Sequence, residues 1–252
     1  MSTWILLRGL TRECRHWGCF PQLLRDELQP ADVIALDLPG NGEFNSVTSP
    51  LSLVDTASYC HDELVRRGIS PPYRLMAMSM GAMVATAWAQ RFPADIEACV
   101  LINTSFGAFS PFHARLRPRA WPTLIRLLLT RNTRVQEELV LNLTSQFADA
   151  WPTLLDEWIA IRQSRPVSAC NALRQLIAAA RFRAPPTAPV QTLVLASAGD
   201  GLVSADCSME IARRWNCPIV VQPTAGHDLP LDDGEWVARE VHKWLIAANM
   251  IS

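Results

Sequence analysis

Ser79, Asp200 and His227 are the residues whose types, order and settings point to acyl transfer. A serine hydroxyl attacks a carbonyl only once a base takes its proton, and that base needs a carboxylate on its other ring nitrogen. Such a serine must stand on a sharp strand-to-helix turn, with small residues two before and two after it so that the turn can close. Three places in the 252-residue chain read Ser-x-Gly: Ser79-Met80-Gly81, Ser105-Phe106-Gly107 and Ser197-Ala198-Gly199. Position −2 separates them, being Ala77 for the first but Asn103 and Leu195 for the others. Only Ser79 lies between a strand-like run, Arg74-Leu75-Met76-Ala77-Met78, and strongly helical sequence, Ala82 to Ala89. A serine in such a turn is often only a helix cap, so its partners decide the reading.

Where a catalytic serine stands on such a strand-to-helix elbow, its partners follow in the order acid, then histidine. Only His227 and His242 lie far enough along. His242 falls within the helical period of Val237, Val241, Trp244, Leu245 and Ala248 and reads as a surface residue. His227 sits in Thr224-Ala225-Gly226-His227-Asp228, a loop just past a strand, where a base belongs. Asp200 follows another strand in the turn Gly199-Asp200-Gly201 and is the expected orienting acid, although aspartate between glycines is also ordinary turn chemistry. Asp206 is the second candidate acid but reads as the start of a helix, and Asp228 is too near His227 in sequence to orient it. The tetrahedral intermediate needs two N–H donors. Met80, at the helix start, supplies one. Leu10, in the loop Arg8-Gly9-Leu10, is assigned the other.

These residues need a scaffold that brings strand ends together. Short, nearly continuous apolar runs at Trp4–Leu7, Val33–Leu36, Leu75–Met78, Cys99–Ile102, Val190–Ala196 and Ile219–Val221 predict a mostly parallel sheet covered on both faces. Helices are expected near 17–28, 53–67, 80–91, 205–215 and 235–248, giving an α/β fold with right-handed crossovers. The rhythm breaks at about residue 109. From there to 184 the pattern is helical, punctuated by Pro111, Pro118, Pro122, Pro152 and Pro166. The expected organisation is therefore a core of residues 1–108 and 185–252 with a helical cap inserted at 109–184. Phe106, Phe109, Trp121 and Trp151, with Phe112, Leu127 and Leu128, are candidates for a substrate pocket beneath that cap, or else its ordinary core.

Composition agrees with a globular protein: 49% of residues are hydrophobic and 19% charged. No apolar run approaches the ~20 residues that span a bilayer, and the N-terminal residues have neither a basic start nor a small-residue cleavage site. The expectation is a cytoplasmic protein without a membrane partner. Seven cysteines are scattered without Cys-x-x-Cys spacing, which reads as thiols, and no Cys/His group has metal-ligand spacing, so neither metal nor cofactor is expected. The net charge of −1 hides an asymmetry. Residues 109–185 hold eleven arginines against five acids, a net +6, and the remainder is −7. A basic segment of this kind faces an anionic partner, or it pairs with the acidic frame around it.

With its residues placed, the chain resembles the α/β-hydrolase superfamily over nearly its whole length. The matching pieces are Leu6-Leu7-Arg8-Gly9, Asp37-Leu38-Pro39-Gly40-Asn41-Gly42, Met78-Ser79-Met80-Gly81, Gly199-Asp200-Gly201-Leu202-Val203 and Gly226-His227. The family inserts its cap after the sixth strand, where the break at 109 falls. Within it the chain is most similar to small, cap-bearing carboxylesterases, including those that cleave the methyl ester of pimeloyl-acyl carrier protein. The resemblance implies a small-molecule ester or acyl substrate. It also implies an acidic acyl carrier protein as a possible partner of the basic cap. Two positions depart from the family pattern. Arg8 stands where histidine is usual, which leaves it open to bind an anionic group of the substrate. Asn41 replaces the histidine of the Pro-Gly-His-Gly turn and reads as tolerated variation.

The leading expectation is hydrolysis of a carboxylic ester or thioester through an acyl-enzyme on Ser79. Carbon–carbon bond hydrolysis and perhydrolysis use the same triad. Epoxide hydrolases and dehalogenases of the fold use an aspartate nucleophile, which Ser79 argues against. A non-catalytic ligand receptor on the same fold is the alternative of another class. A nucleotide-binding fold is disfavoured because neither G-x-G-x-x-G nor G-x-x-x-x-G-K-[ST] occurs, and no nucleic-acid partner is expected.

Overall fold

Six apolar runs become six parallel strands of one sheet: β1 (Thr3–Leu7), β2 (Val33–Leu36), β3 (Tyr73–Met78), β4 (Ile96–Ile102), β5 (Gln191–Ser197) and β6 (Ile219–Gln222), ordered β2-β1-β3-β4-β5-β6. The computed structural model describes residues 3–147 and 153–251. Both faces of the sheet are buried, which is why the strands are apolar without alternation. Ile5 and Leu7 point to one core, shared with α2 (Leu53–Arg66), α3 (Met80–Arg91) and α9 (Ala205–Trp215). Trp4 and Leu6 point to the other, shared with α1 (Phe20–Glu27) and α11 (Gly234–Ala247). Helix α3 lies deepest, with every residue from Met80 to Ala89 buried.

Because the strands are parallel, their C-terminal ends form one rim, where ligand sites of open α/β sheets lie. The order places β3 beside β4, β4 beside β5 and β5 beside β6. The loops carrying Ser79, Asn103, Asp200 and His227 are therefore neighbours on that rim.

Between β4 and β5 every described element is helical: α4 (Phe112–Arg115), a short 3-10 turn over Pro118–Ala120, α5 (Trp121–Leu129), α6 (Thr133–Thr144), α7 (Leu154–Ser164) and α8 (Ala169–Arg181). This is where the alternating pattern lapses in the sequence, but in this sheet it follows the fourth strand and not the sixth. After β6, a single turn α10 (Leu229–Asp232) precedes α11. The segment is bound to the rim rather than hung from it. The Arg117 N–H donates to the Leu202 carbonyl at 2.9 Å, and the Asp228 N–H donates to the Thr144 carbonyl at 2.7 Å. Among the described residues no helix is long and apolar enough to cross a membrane.

Candidate active site

Strand β3 ends in a sharp backbone turn at Ser79. Ser79 has φ 54° and ψ −122°, a left-handed conformation costly to a residue with a side chain. Hydrogen bonds hold it there: its N–H donates to the Ile102 carbonyl at 2.9 Å, and Thr104 Oγ1 donates to its carbonyl at 2.8 Å. The turn closes because Gly81 has no side chain. A Cβ there would lie 2.5 Å from the Arg8 carbonyl oxygen and 2.6 Å from that of Leu7. Helix α3 thus begins hard against the end of β1. Met80 is its first residue, so the Met80 N–H is one of the donors that no helix satisfies internally. The loop after β1 runs past the same point: a Cβ on Gly9 would sit 3.1 Å from Ser79 Cβ and 3.6 Å from its Oγ. Leu10, the assigned second donor, follows directly in that loop.

Asp200 and His227 are in contact. His227 Nδ1–H donates to Asp200 Oδ2 at 2.7 Å, with both side chains almost wholly buried. The other carboxylate oxygen, Oδ1, accepts from the N–H groups of Leu202 (2.7 Å) and Val203 (2.9 Å), so the acid is fixed by its own turn. Burial opposes a charged His227, but the charge and hydrogen bond of Asp200, with Asp228 adding, outweigh it and raise the imidazole above its ordinary value. Asp206 is exposed at the start of α9, where its Oδ2 accepts from Ser204 Oγ at 2.9 Å. His242 pairs with Glu27 on the surface of α11. The rival serines are inward: Ser105 and Ser197 are buried, the latter accepting from Asn103 Nδ2 at 2.9 Å.

Asn103 is the residue that sequence reasoning missed. In the sequence it stands only as the bulky residue two positions before Ser105. Its side chain donates to the carbonyls of His227 (2.8 Å) and Gly226 (3.2 Å) and accepts from the Ser197 N–H (2.8 Å). It therefore pins the ends of β4, β5 and β6 together, next to the Ile102 and Thr104 bonds that hold Ser79. Its φ of 46° lies in the left-handed region, which asparagine enters more readily than most residues.

Three expectations need correction. Arg8 does not reach toward a substrate. It is 3% exposed, and Nη1 and Nη2 donate to Asp228 Oδ1 (3.0 Å) and Oδ2 (2.5 Å), with the guanidinium over the Trp17 ring. A buried arginine takes the nearest carboxylate, and Asp228 stands across the rim. Asn41 is no neutral variation. It is fully buried, donates to the Arg12 carbonyl at 2.9 Å and accepts from Gln175 Nε2 at 2.7 Å. Gln175 Oε1 in turn accepts from the Thr11 N–H at 3.0 Å, so helix α8 and the Asn41 turn together fix the loop beside Ser79. Phe106 and Phe109 belong to the core rather than to a pocket. Phe106 is 0% exposed among Phe109, Phe182 and Trp215, with ring centroids 5.2–5.8 Å apart, and Phe109 packs on Trp215 under Arg214. Trp121 lies on the outer side of α5, 42% exposed, and Trp151 falls outside the described residues.

A polar cavity of about 460 Å³ adjoins the acid loop, lined by Arg117, Arg119, Asn142, Leu143, Gln146 and the Ala198–Gly201 turn. Arg117 and Arg119 both donate to the Asp200 carbonyl, at 3.0 and 2.7 Å.

A family model described as the alpha/beta hydrolase family matches residues 4–240. No curated protein matches the chain. Solved structures share its fold at low identity. The meta-cleavage product hydrolase CumD from Pseudomonas fluorescens IP01 is 16% identical with a TM-score of 0.78, covering 98% of this chain and 92% of its own. A thermophilic esterase from Thermogutta terrifontis is 21% identical with a TM-score of 0.71, over 98% and 90%. The esterase RhEst1 from Rhodococcus sp. ECU1013 is 17% identical with a TM-score of 0.73, over 97% and 90%. Likeness at this level concerns the fold.

Proposed function

We propose, from the premise that this chain belongs to the alpha/beta hydrolase family, that it hydrolyses a carboxylic ester or thioester through an acyl-enzyme on Ser79. The observation that carries the reading is the buried 2.7 Å contact of Asp200 with His227, on the same rim as a serine held at φ 54°. In the reaction, neutral His227 takes the Ser79 proton through Nε2 as Oγ bonds to the acyl carbon. Asp200 holds the ring in the tautomer that leaves Nε2 free and stabilises the imidazolium. The oxyanion is bound by the N–H groups of Met80 and Leu10. His227 then gives its proton to the leaving alcohol or thiol, which departs. A water, deprotonated by the same nitrogen, attacks the acyl-enzyme and returns Ser79 to its resting state.

The helices between β4 and β5 act as the cap, and Asn41 and Gln175 tie them to the loop that carries Leu10. Turnover of p-nitrophenyl esters over a range of acyl lengths, compared between the wild type and Ser79→Ala, tests the reading. Activity present in the first and absent from the second supports it. Equal activity in both refutes it.

A further inference from the structure

We propose that the outer face of helix α5 docks this protein on the surface of a bilayer containing anionic lipid. None of the nine residues of α5 is buried. Trp121, Ile125, Leu128 and Leu129 are 42%, 57%, 83% and 80% exposed. At about 100° per residue these four fall in one stripe about 100° wide. Phe112, 64% exposed, extends the stripe, its ring 6.4 Å from that of Trp121. Isolated exposed apolar residues are ordinary, but five adjoining on one surface mark a contact site.

Charge selects the occupant. Residues 98–136 contain no aspartate or glutamate but hold Arg115, Arg117, Arg119, Arg126, Arg131 and Arg134. Among the described residues Arg117, Arg119, Arg126 and Arg131 have no acidic partner, while Arg134 pairs with Asp156. A short apolar helix face, a tryptophan at its edge and a cationic border are the parts of an interfacial anchor on anionic lipid. A second copy of the chain fits poorly, because a two-fold contact through this face would set the arginines of one copy against those of the other. The apolar run is far too short to span. The expectation of no membrane partner rested on spanning, which surface docking does not require.

Arg117 and Arg119 lead directly into α5 and are hydrogen-bonded to the Asp200 turn. Docking through α5 would therefore bring the bilayer to the same rim of the sheet as Ser79. The docking itself does not rest on the hydrolase reading.

Co-sedimentation with vesicles tests it, using phosphatidylcholine alone and an equal mixture with phosphatidylglycerol. Both the wild type and Ser79→Ala should bind the mixed vesicles and not the neutral ones, which separates failure of docking from failure of catalysis. Arg126→Gln/Arg131→Gln should weaken binding about thirtyfold, and added salt should weaken it further. Leu128→Ser/Leu129→Ser should weaken it at least about tenfold. All four positions are exposed, and an unchanged thermal midpoint checks that the variants fold. Absence of binding to mixed vesicles overturns the proposal. So does equal binding to both kinds of vesicle, or binding unaltered in both variants. Dimerisation abolished by the leucine variant, or retention by an acidic protein in place of lipid, overturns it as well.

Discussion

The Arg8 guanidinium and the Asp228 carboxylate form a buried, two-bond ion pair that ties the loop beside Ser79 to the residue following His227. The two residues come from opposite ends of the sequence, 220 positions apart. A buried pair of this kind contributes little net stability, but breaking one side strands a charge. Asp228→Ala is expected to cost about 3–5 kcal/mol in chemical denaturation. Arg8→Met with Asp228→Leu should lose much less than the two single changes together, because no charge is then left unpaired. Additive losses would show that the pair is not coupled.

The pH dependence follows from His227. Its pKa lies above the ordinary value because the influence of Asp200 and Asp228 exceeds the effect of burial. A base must be neutral, so kcat/KM should fall as the pH drops through that raised pKa. The acidic limb should therefore have its midpoint above the ordinary histidine value of about 6.5. Asp200→Asn removes the partner that raises it. The limb should move to lower pH while kcat drops by about 10⁴-fold, the loss expected when an orienting acid fails. A limb that stays in place would mean that another group sets it.

Asn103→Ala should damage the site without touching substrate. The change leaves the Ser197 N–H and the His227 carbonyl without their buried partner, at about 1–3 kcal/mol for each group that finds no replacement. The expected signature is a lower melting temperature together with a fall in kcat and little change in KM. Since Asn103 is argued to place His227, the Asp200-dependent limb of the pH profile should also shift. A change in stability alone would make it merely structural.

Gly81→Val tests the closeness of the turn. A side chain at this position meets two backbone carbonyls, at 2.5 and 2.6 Å, which cannot swing aside. Soluble expression should fall sharply, and any folded protein should lack turnover because Ser79 is displaced. Retained activity would contradict the described approach of α3 to β1.

Much of this was readable in the chain because both layers of information agreed. The six strands and their flanking helices stand within a few residues of the apolar runs, since a sheet buried on both faces leaves an uninterrupted apolar signature. The least legible strand end was β4, which begins at Ile96. Glu97 interrupts its apolar run, and in the sheet it pairs with Arg74 of β3. The Asp200–His227 contact was legible because each residue follows a strand in the expected order. Asn41, Asn103 and the Arg8–Asp228 pair were not. Their partners lie 29 to 220 positions away, and a polar side chain does not announce in sequence which distant loop it will reach. Phe106 and Phe109 misled for the related reason that an aromatic near a cap boundary looks the same whether it lines a pocket or fills a core.

Reaction with a fluorophosphonate, located by peptide mass spectrometry, is the most direct test of the central claim that His227 and Asp200 activate Ser79. The account predicts a single adduct on Ser79, none on Ser105 or Ser197, and labelling slowed by several orders of magnitude in His227→Ala. An unlabelled Ser79 in folded protein, or labelling as fast without His227, would contradict it.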